Sequence, residues 1–276
     1  MKFFVKTITM ISAAFFLFVL QAEALTIDFL YQTPTDNSGK TSRFVAADNQ
    51  NVSGSGFIIE TFDKQGSSAA TFQANGGTIT VAAGGGFNTL DPTKLDVTGG
   101  GLEIRKGSVS GVAAKPANDE TFFAFGPKQG AGTTNATVKV ESSDFFAYNP
   151  SLIVWYLGLY YGSIDTYNDI AFYSGNSLLK TSTGFLTDGI LSGSEILSAM
   201  GGISGNQLDD RSNVYVNLFF DANEVFTAFE FRTTGIAFEL DNIVAGVRPP
   251  VPEPATIFLF GLGLLGVAGV SRRKKQ

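Results

Sequence analysis

Chemistry in this chain must come from oxygen atoms and amines, because its 276 residues include no His and no Cys. That removes Ser-His-Asp and Cys-His arrangements, thiolate zinc sites and disulfides. It also removes the commonest general base. Carboxylate chemistry, Ser-Lys chemistry and hard-cation binding remain. Paired carboxylates can hydrolyse glycosides. Glu230 and Glu239 sit at alternating strand positions, on the face expected to meet solvent, so a solvated sheet face explains them better. Asp209-Asp210, Asp221/Asn223/Glu224 and Asp241-Asn242 offer oxygens to calcium. None of them fits an EF-hand loop, and turn chemistry accounts for them equally. No catalytic residue is assigned. The cofactor expected is none, or a calcium ion at Asp221, Asn223 and Glu224.

The densest aromatic group is Trp155, Tyr156, Tyr160 and Tyr161, followed by Asp165, Tyr167 and Asn168. Sugars stack on exposed rings, so Tyr160 and Tyr161 with a polar rim of Asp165, Tyr167 and Asn168 would make a glycan platform. The segment is apolar on both alternations, which favours burial.

Both ends of the sequence read as addresses. Lys2 and Lys6 precede an apolar run from residue 8 to 20, and Ala22-Glu23-Ala24 supplies the small-x-small pattern of a signal peptidase. Residues 1–24 are expected to be a signal peptide, with Leu25 as the mature start. At the other end, Val251-Pro252-Glu253-Pro254-Ala255-Thr256 precedes an apolar stretch, and Arg272, Arg273, Lys274 and Lys275 follow it. A helix over 256–271 would run about 25 Å at ~1.5 Å per residue, short for a bilayer but extended by snorkelling cations. The basic end, 272–276, marks the cytoplasmic side as a stop-transfer signal, so the domain faces outward. The prolines keep 251–256 extended, as a protease cleft requires.

This three-part tail, 248–276, resembles the PEP-CTERM sorting signal, a type also grouped with ice-binding protein C-termini. The resemblance implies a Gram-negative bacterium, an exosortase that cuts near the motif, and a destination at the cell surface or in the extracellular matrix. Residues 109–121 and 157–168 also resemble a subgroup of exosortase-dependent surface proteins, with Tyr161 where that subgroup has Trp and Asn118 where it has Gly. That likeness implies an architecture and no activity.

The segment between the ends, 25–247, must position whatever site exists. Short β-rich stretches at 26–31, 57–62, 78–82, 136–141, 152–161 and 170–173 are bounded by Gly, Asn and Asp. The run 152–161 reads as a central strand covered on both faces. Strand 214–220, a turn at 221–224 and strand 225–233 follow. In the last strand Phe238 and Leu240 alternate with Glu239 and Asp241, which predicts one buried face. One helix is expected, 194–200, capped by Ser194. These elements predict an all-β, antiparallel, jelly-roll-like β-sandwich flanked by an N-terminal signal helix and a C-terminal transmembrane helix.

Formal charge is −6. Six of the 19 basic residues but only Glu23 and Glu253 of the 25 acidic ones lie in 1–24 and 251–276, so the part between is near −10 and nucleic acid is excluded as a partner. The expected function is an exported, exosortase-processed, non-enzymatic interaction module. The alternative is a lectin-like carbohydrate-binding domain, and third comes a carboxylate-dependent glycosidase. The expected partners are signal peptidase, exosortase, the membrane before processing, and extracellular polysaccharide.

Overall fold

The computed structural model describes residues 25–145, 152–221 and 224–249. The expected signal helix in 1–24 and the sorting tail from 250 onward, with its transmembrane helix 256–271, lie outside the described residues, as does Asn223.

Among the described residues fifteen strands form two sheets. The larger runs β1 (Thr26–Asp28), β13 (Val214–Phe219), β9 (Ile153–Gly162), β15 (Phe238–Arg248), β7 (Phe122–Gly126), β6 (Leu102–Lys106), β4 (Gly77–Val81) and β3 (Ala70–Ala74). β2 (Phe57–Glu60) pairs with the far half of β15. The smaller sheet runs β11 (Ser177–Leu178), β10 (Asn168–Ser174), β14 (Ala228–Thr233), β8 (Ala136–Glu141) and β5 (Asp96–Gly99), with β12 (Ile190–Ser192) beside β10. Among the described pairings only β4 and β6 run parallel. The helices are the single turn α1 (Ser142–Phe145) and α2 (Gly193–Met200). No jelly-roll winding is identified in this order.

The two sheets share one core, which makes the molecule a sandwich. Leu157, Leu159, Phe238 and Leu240 from the larger sheet meet Val138, Phe172, Phe229 and Phe231 from the smaller. The rings of Phe231 and Phe238 lie 6.2 Å apart across the gap. β8 shows how the sequence produces this: Ala136, Val138 and Val140 are buried while Thr137, Lys139 and Glu141 are half-buried, the period of a strand with one apolar face.

Three expectations are corrected. The turn after β13 does not close a hairpin, because β13 lies in the larger sheet and β14 in the smaller. The chain crosses between sheets there, pinned by Phe220 and Phe226, whose rings sit 4.6 Å apart in the core. Second, β15 is buried on both faces: Glu239 and Asp241 are as enclosed as Phe238 and Leu240. Third, the helix is capped by Ser192, two residues earlier than expected. Ser192 Oγ accepts from Glu195 N at 3.2 Å, and the Glu195 carboxylate accepts from Ser192 N at 2.8 Å, a capping box.

The second burial surface explains the doubly apolar 152–161. Loops over 31–51 and 108–121 lie across the outer face of β9, β13 and β15. Asn242 Nδ2 donates to Ser38 O and Lys40 O. Ala117 N donates to Asn213 Oδ1 at 3.0 Å, and Ala114 N to Glu239 Oε1 at 3.1 Å. A bulge between Asp241 and Val244, with Asn242 at φ 47°, turns β15 to meet these loops.

Truncating Phe220 to Ala should cost about 3–5 kcal/mol, because it empties the crossover point between sheets. Urea unfolding followed by the fluorescence of the single tryptophan should show the midpoint falling with an unchanged slope.

Candidate functional site: a polar cleft above a buried acidic layer

A cleft of about 740 Å³ opens where the 31–51 loop meets the strand ends. Asp36, Asn49, Gln50, Asn51, Asp63, Lys64, Gln65, Asn88, Thr121 and Phe122 are among its lining residues. Its walls are held by their own polar groups. Asp36 Oδ1 accepts from Ser38 N at 3.0 Å, and Asp36 Oδ2 from Asn49 Nδ2 at 2.9 Å. Asp63 Oδ1 accepts from Phe122 N at 3.0 Å. Asn51 spans to β2, accepting from Ile59 N at 2.7 Å and donating to Ile59 O at 3.1 Å. Glu60 fixes the 86–90 loop by accepting four backbone N–H groups, from Phe62, Asn88, Thr89 and Leu90. Burial still raises its pKa.

Beneath the cleft lie Asp119 and Asp241, both fully buried. Asp119 Oδ1 accepts from Thr121 N at 2.7 Å, while its Oδ2 and both oxygens of Asp241 have no hydrogen-bond partner. Burial is the largest influence on both, and the carboxylates push one another further. Asp241 rises well above the usual range through burial, then through Asp119, Asp63 and Asp36. Asp119 is pushed up to about 7 and Asp63 to about 6. An unpartnered buried carboxylate is costly as an anion, so protonation relieves it. Among the described residues no group of three or more acidic side chains is arranged to hold a metal ion.

The residues singled out from sequence are distributed differently. Tyr160 and Tyr161 are fully buried and present no face to a sugar. Tyr160 Oη donates to Ala117 O under the 108–121 loop, and Tyr161 packs in the main core. The single Tyr167 hydroxyl proton lies between two acceptors, Asp165 Oδ2 at 2.6 Å and Ile236 O at 2.9 Å. Asn168 is buried, donating to Ala237 O and accepting from Thr233 Oγ1. These three groups brace a corner of the sandwich. Rings that do reach the surface include Tyr31 and Phe44, the latter stacked on Phe57 at 5.1 Å with Trp155 beside both.

Of the calcium candidates, Glu224 is buried with its two oxygens accepting from Leu25 N at 3.0 Å and Asp221 N at 3.1 Å. Glu239 was expected in solvent. It is sealed against Ala114 N and Ser163 Oγ, and burial lifts its pKa well above the usual carboxylate range. Glu230 pairs with Arg232 at 2.8 Å on the opposite outer face of the sandwich. The two carboxylates thus flank no common groove. Ser177 and Lys180 have Ser-x-x-Lys spacing, but both are exposed at the β10–β11 hairpin and not on one face of a helix.

Sequence reasoning missed the cleft, since its walls come from the 31–51 loop, the 61–65 segment after β2, the 84–88 loop and the start of β7. The runs of Asn, Gln and Asp at 48–51 were the available signal. Asn118 does explain itself: at φ 62° it occupies the left-handed region that Gly favours and Asn tolerates.

Residues 250–274 match the PEP-CTERM protein-sorting motif. The chain carries a PEP-CTERM sorting signal in this segment, and the motif implies export and membrane anchoring before exosortase cleavage. No curated protein and no solved structure matches this chain. Among the described residues no helix is long and apolar enough to cross a membrane.

Groups with raised folded pKa values stabilise below their unfolded pKa and lose that contribution as pH rises through the folded value. Asp63 and Asp119 place this window between roughly pH 4 and pH 7. The domain should therefore melt lower at pH 8 than at pH 5, by on the order of 5 °C. Asp119→Asn keeps the Thr121 bond and should flatten the slope. A pH-independent melting temperature between 5 and 8 would contradict the buried acidic layer.

Proposed function

We propose that this chain is a secreted surface or matrix protein whose sandwich acts as a non-enzymatic interaction module. Signal peptidase removes residues 1–24. The helix 256–271 holds the protein in the inner membrane of a Gram-negative bacterium, with Arg272, Arg273, Lys274 and Lys275 inside. Exosortase then cuts near Val251–Thr256 and releases the domain outward. The observation that carries this reading is the sorting-motif match over 250–274. The test is mass analysis of the full chain produced in a bacterium with and without its exosortase. With the enzyme, the product should lose the tail. Without it, the tail should remain and the protein should stay in the inner membrane. An intact tail in both strains would end the proposal.

One observation favours a second reading, a lectin-like site. The cleft is lined by Asn, Gln and Asp side chains with Phe122 at one wall, a set that suits hydroxyl-rich ligands. Gln50, Lys64 and Gln65 line it without bracing the fold, and replacing all three with Ala should abolish retardation in gels cast with extracellular polysaccharide. The melting temperature should stay within about 2 °C, as surface changes allow. Equal migration of wild type and variant would remove this reading.

A further inference from the structure

The backbone nitrogen of Leu25 donates to Oε1 of Glu224 at 3.0 Å, across 199 residues of sequence. Both are buried, at 3% and 4% exposure, and the Leu25 side chain belongs to the same core cluster as Phe220 and Phe226. β1 begins at the next residue, with Thr26 opposite Phe219. Leu25 is also the residue that a cut after Ala24 would place first.

A carboxylate at this depth needs a cation or several donors. Glu60, another deep carboxylate held by backbone, receives four N–H groups, whereas Glu224 receives those of Leu25 and Asp221. None of the ion pairs among the described residues involves Glu224.

We propose that Glu224 is a built-in receptor for the mature N-terminus, its carboxylate pairing with the α-ammonium of Leu25 once the leader is removed. The inference rests on the export reading above. Water splits the Ala24–Leu25 amide: the oxygen stays on Ala24, which leaves as a carboxylate, and the Leu25 nitrogen takes up protons to become an ammonium. One N–H donor becomes three, with a full positive charge where a neutral amide stood. A charge-assisted bond of this kind is about twice as strong as a neutral one. The pair then clamps β1, the edge strand of the larger sheet, onto β13 and the crossover turn. Chain ends fray unless tied down, and this one is tied at the position where processing creates it.

The test uses the full precursor in a Gram-negative host, with the exported product purified in detergent. Mass analysis should find Leu25 at its N-terminus. Unfolding is then followed by Trp155 fluorescence for wild type, Glu224→Gln, Ala24→Phe (which blocks the cut) and the double variant. Glu224→Gln should lower the melting temperature of the cut protein by roughly 3–8 °C, and that of the uncut protein by less than half as much. Should Glu224→Gln fail to accumulate, the pH dependence of α-amine methylation in the wild type decides. The pairing should raise that pKa at least one unit above its ordinary value of about 8. A start other than Leu25, equal losses in cut and uncut protein, or an unshifted α-amine would overturn the proposal. A precursor that is neither exported nor cut would overturn the export reading itself.

Discussion

The larger sheet has no face turned to water along β9, β13 and β15, and the organisation of the rest of the domain follows from that. An antiparallel sheet commonly leaves one face solvated. Here the inner face buries leucines and phenylalanines against the smaller sheet, and the outer face is roofed by two irregular loops. Loops carry backbone polar groups that must be satisfied when buried. The outer side chains accordingly are Tyr156, Tyr160, Asn217, Glu239 and Asn242, each of which hydrogen-bonds a loop, a neighbouring strand or both. Such layers are stabilising only when nearly all their members are satisfied.

Among the described residues single polar atoms of Thr41, Arg105, Tyr161 and Arg248 are also buried without partners, but most of the exceptional carboxylate and amide oxygens gather at one place. Asp241, Asp119 and Asn49 carry buried oxygens without partners, under the wall of the cleft formed by Asp36 and Asp63. Part of the energetic cost of the roof therefore falls beside the cleft, in keeping with the tendency of functional regions to hold unpaired polar groups. The cleft is distinct from the aromatic segment that stands out in the sequence, whose rings serve the roof and the core.

Sorting and folding meet at the N-terminal end of β1. The sorting motif matched over 250–274 implies export and membrane anchoring. Leu25 differs, because its side chain fills the core and its nitrogen reaches Glu224. Leu25, the first described residue, is built into the sandwich, while the last strand, β15, ends at Arg248.

The sequence by itself determined the address, the β class and the absence of thiol and imidazole chemistry, because sorting signals and strand periodicity are local patterns carried by consecutive residues. Local too are the reversals at Asn75-Gly76 and Gly175-Asn176, where turn residues join β3 to β4 and β10 to β11. Only the tertiary structure decided which faces are dry. Glu239 and Asp241 read as solvent-facing by alternation, since nothing within β15 reveals that residues more than a hundred positions away lie on top of it. The same holds for the 221–224 turn, which looks like a hairpin and becomes a crossover because Phe220 and Phe226 gain more by entering the core between sheets than by pairing side by side. Burial from long-range contacts is a property of the assembled chain, and no local period encodes it.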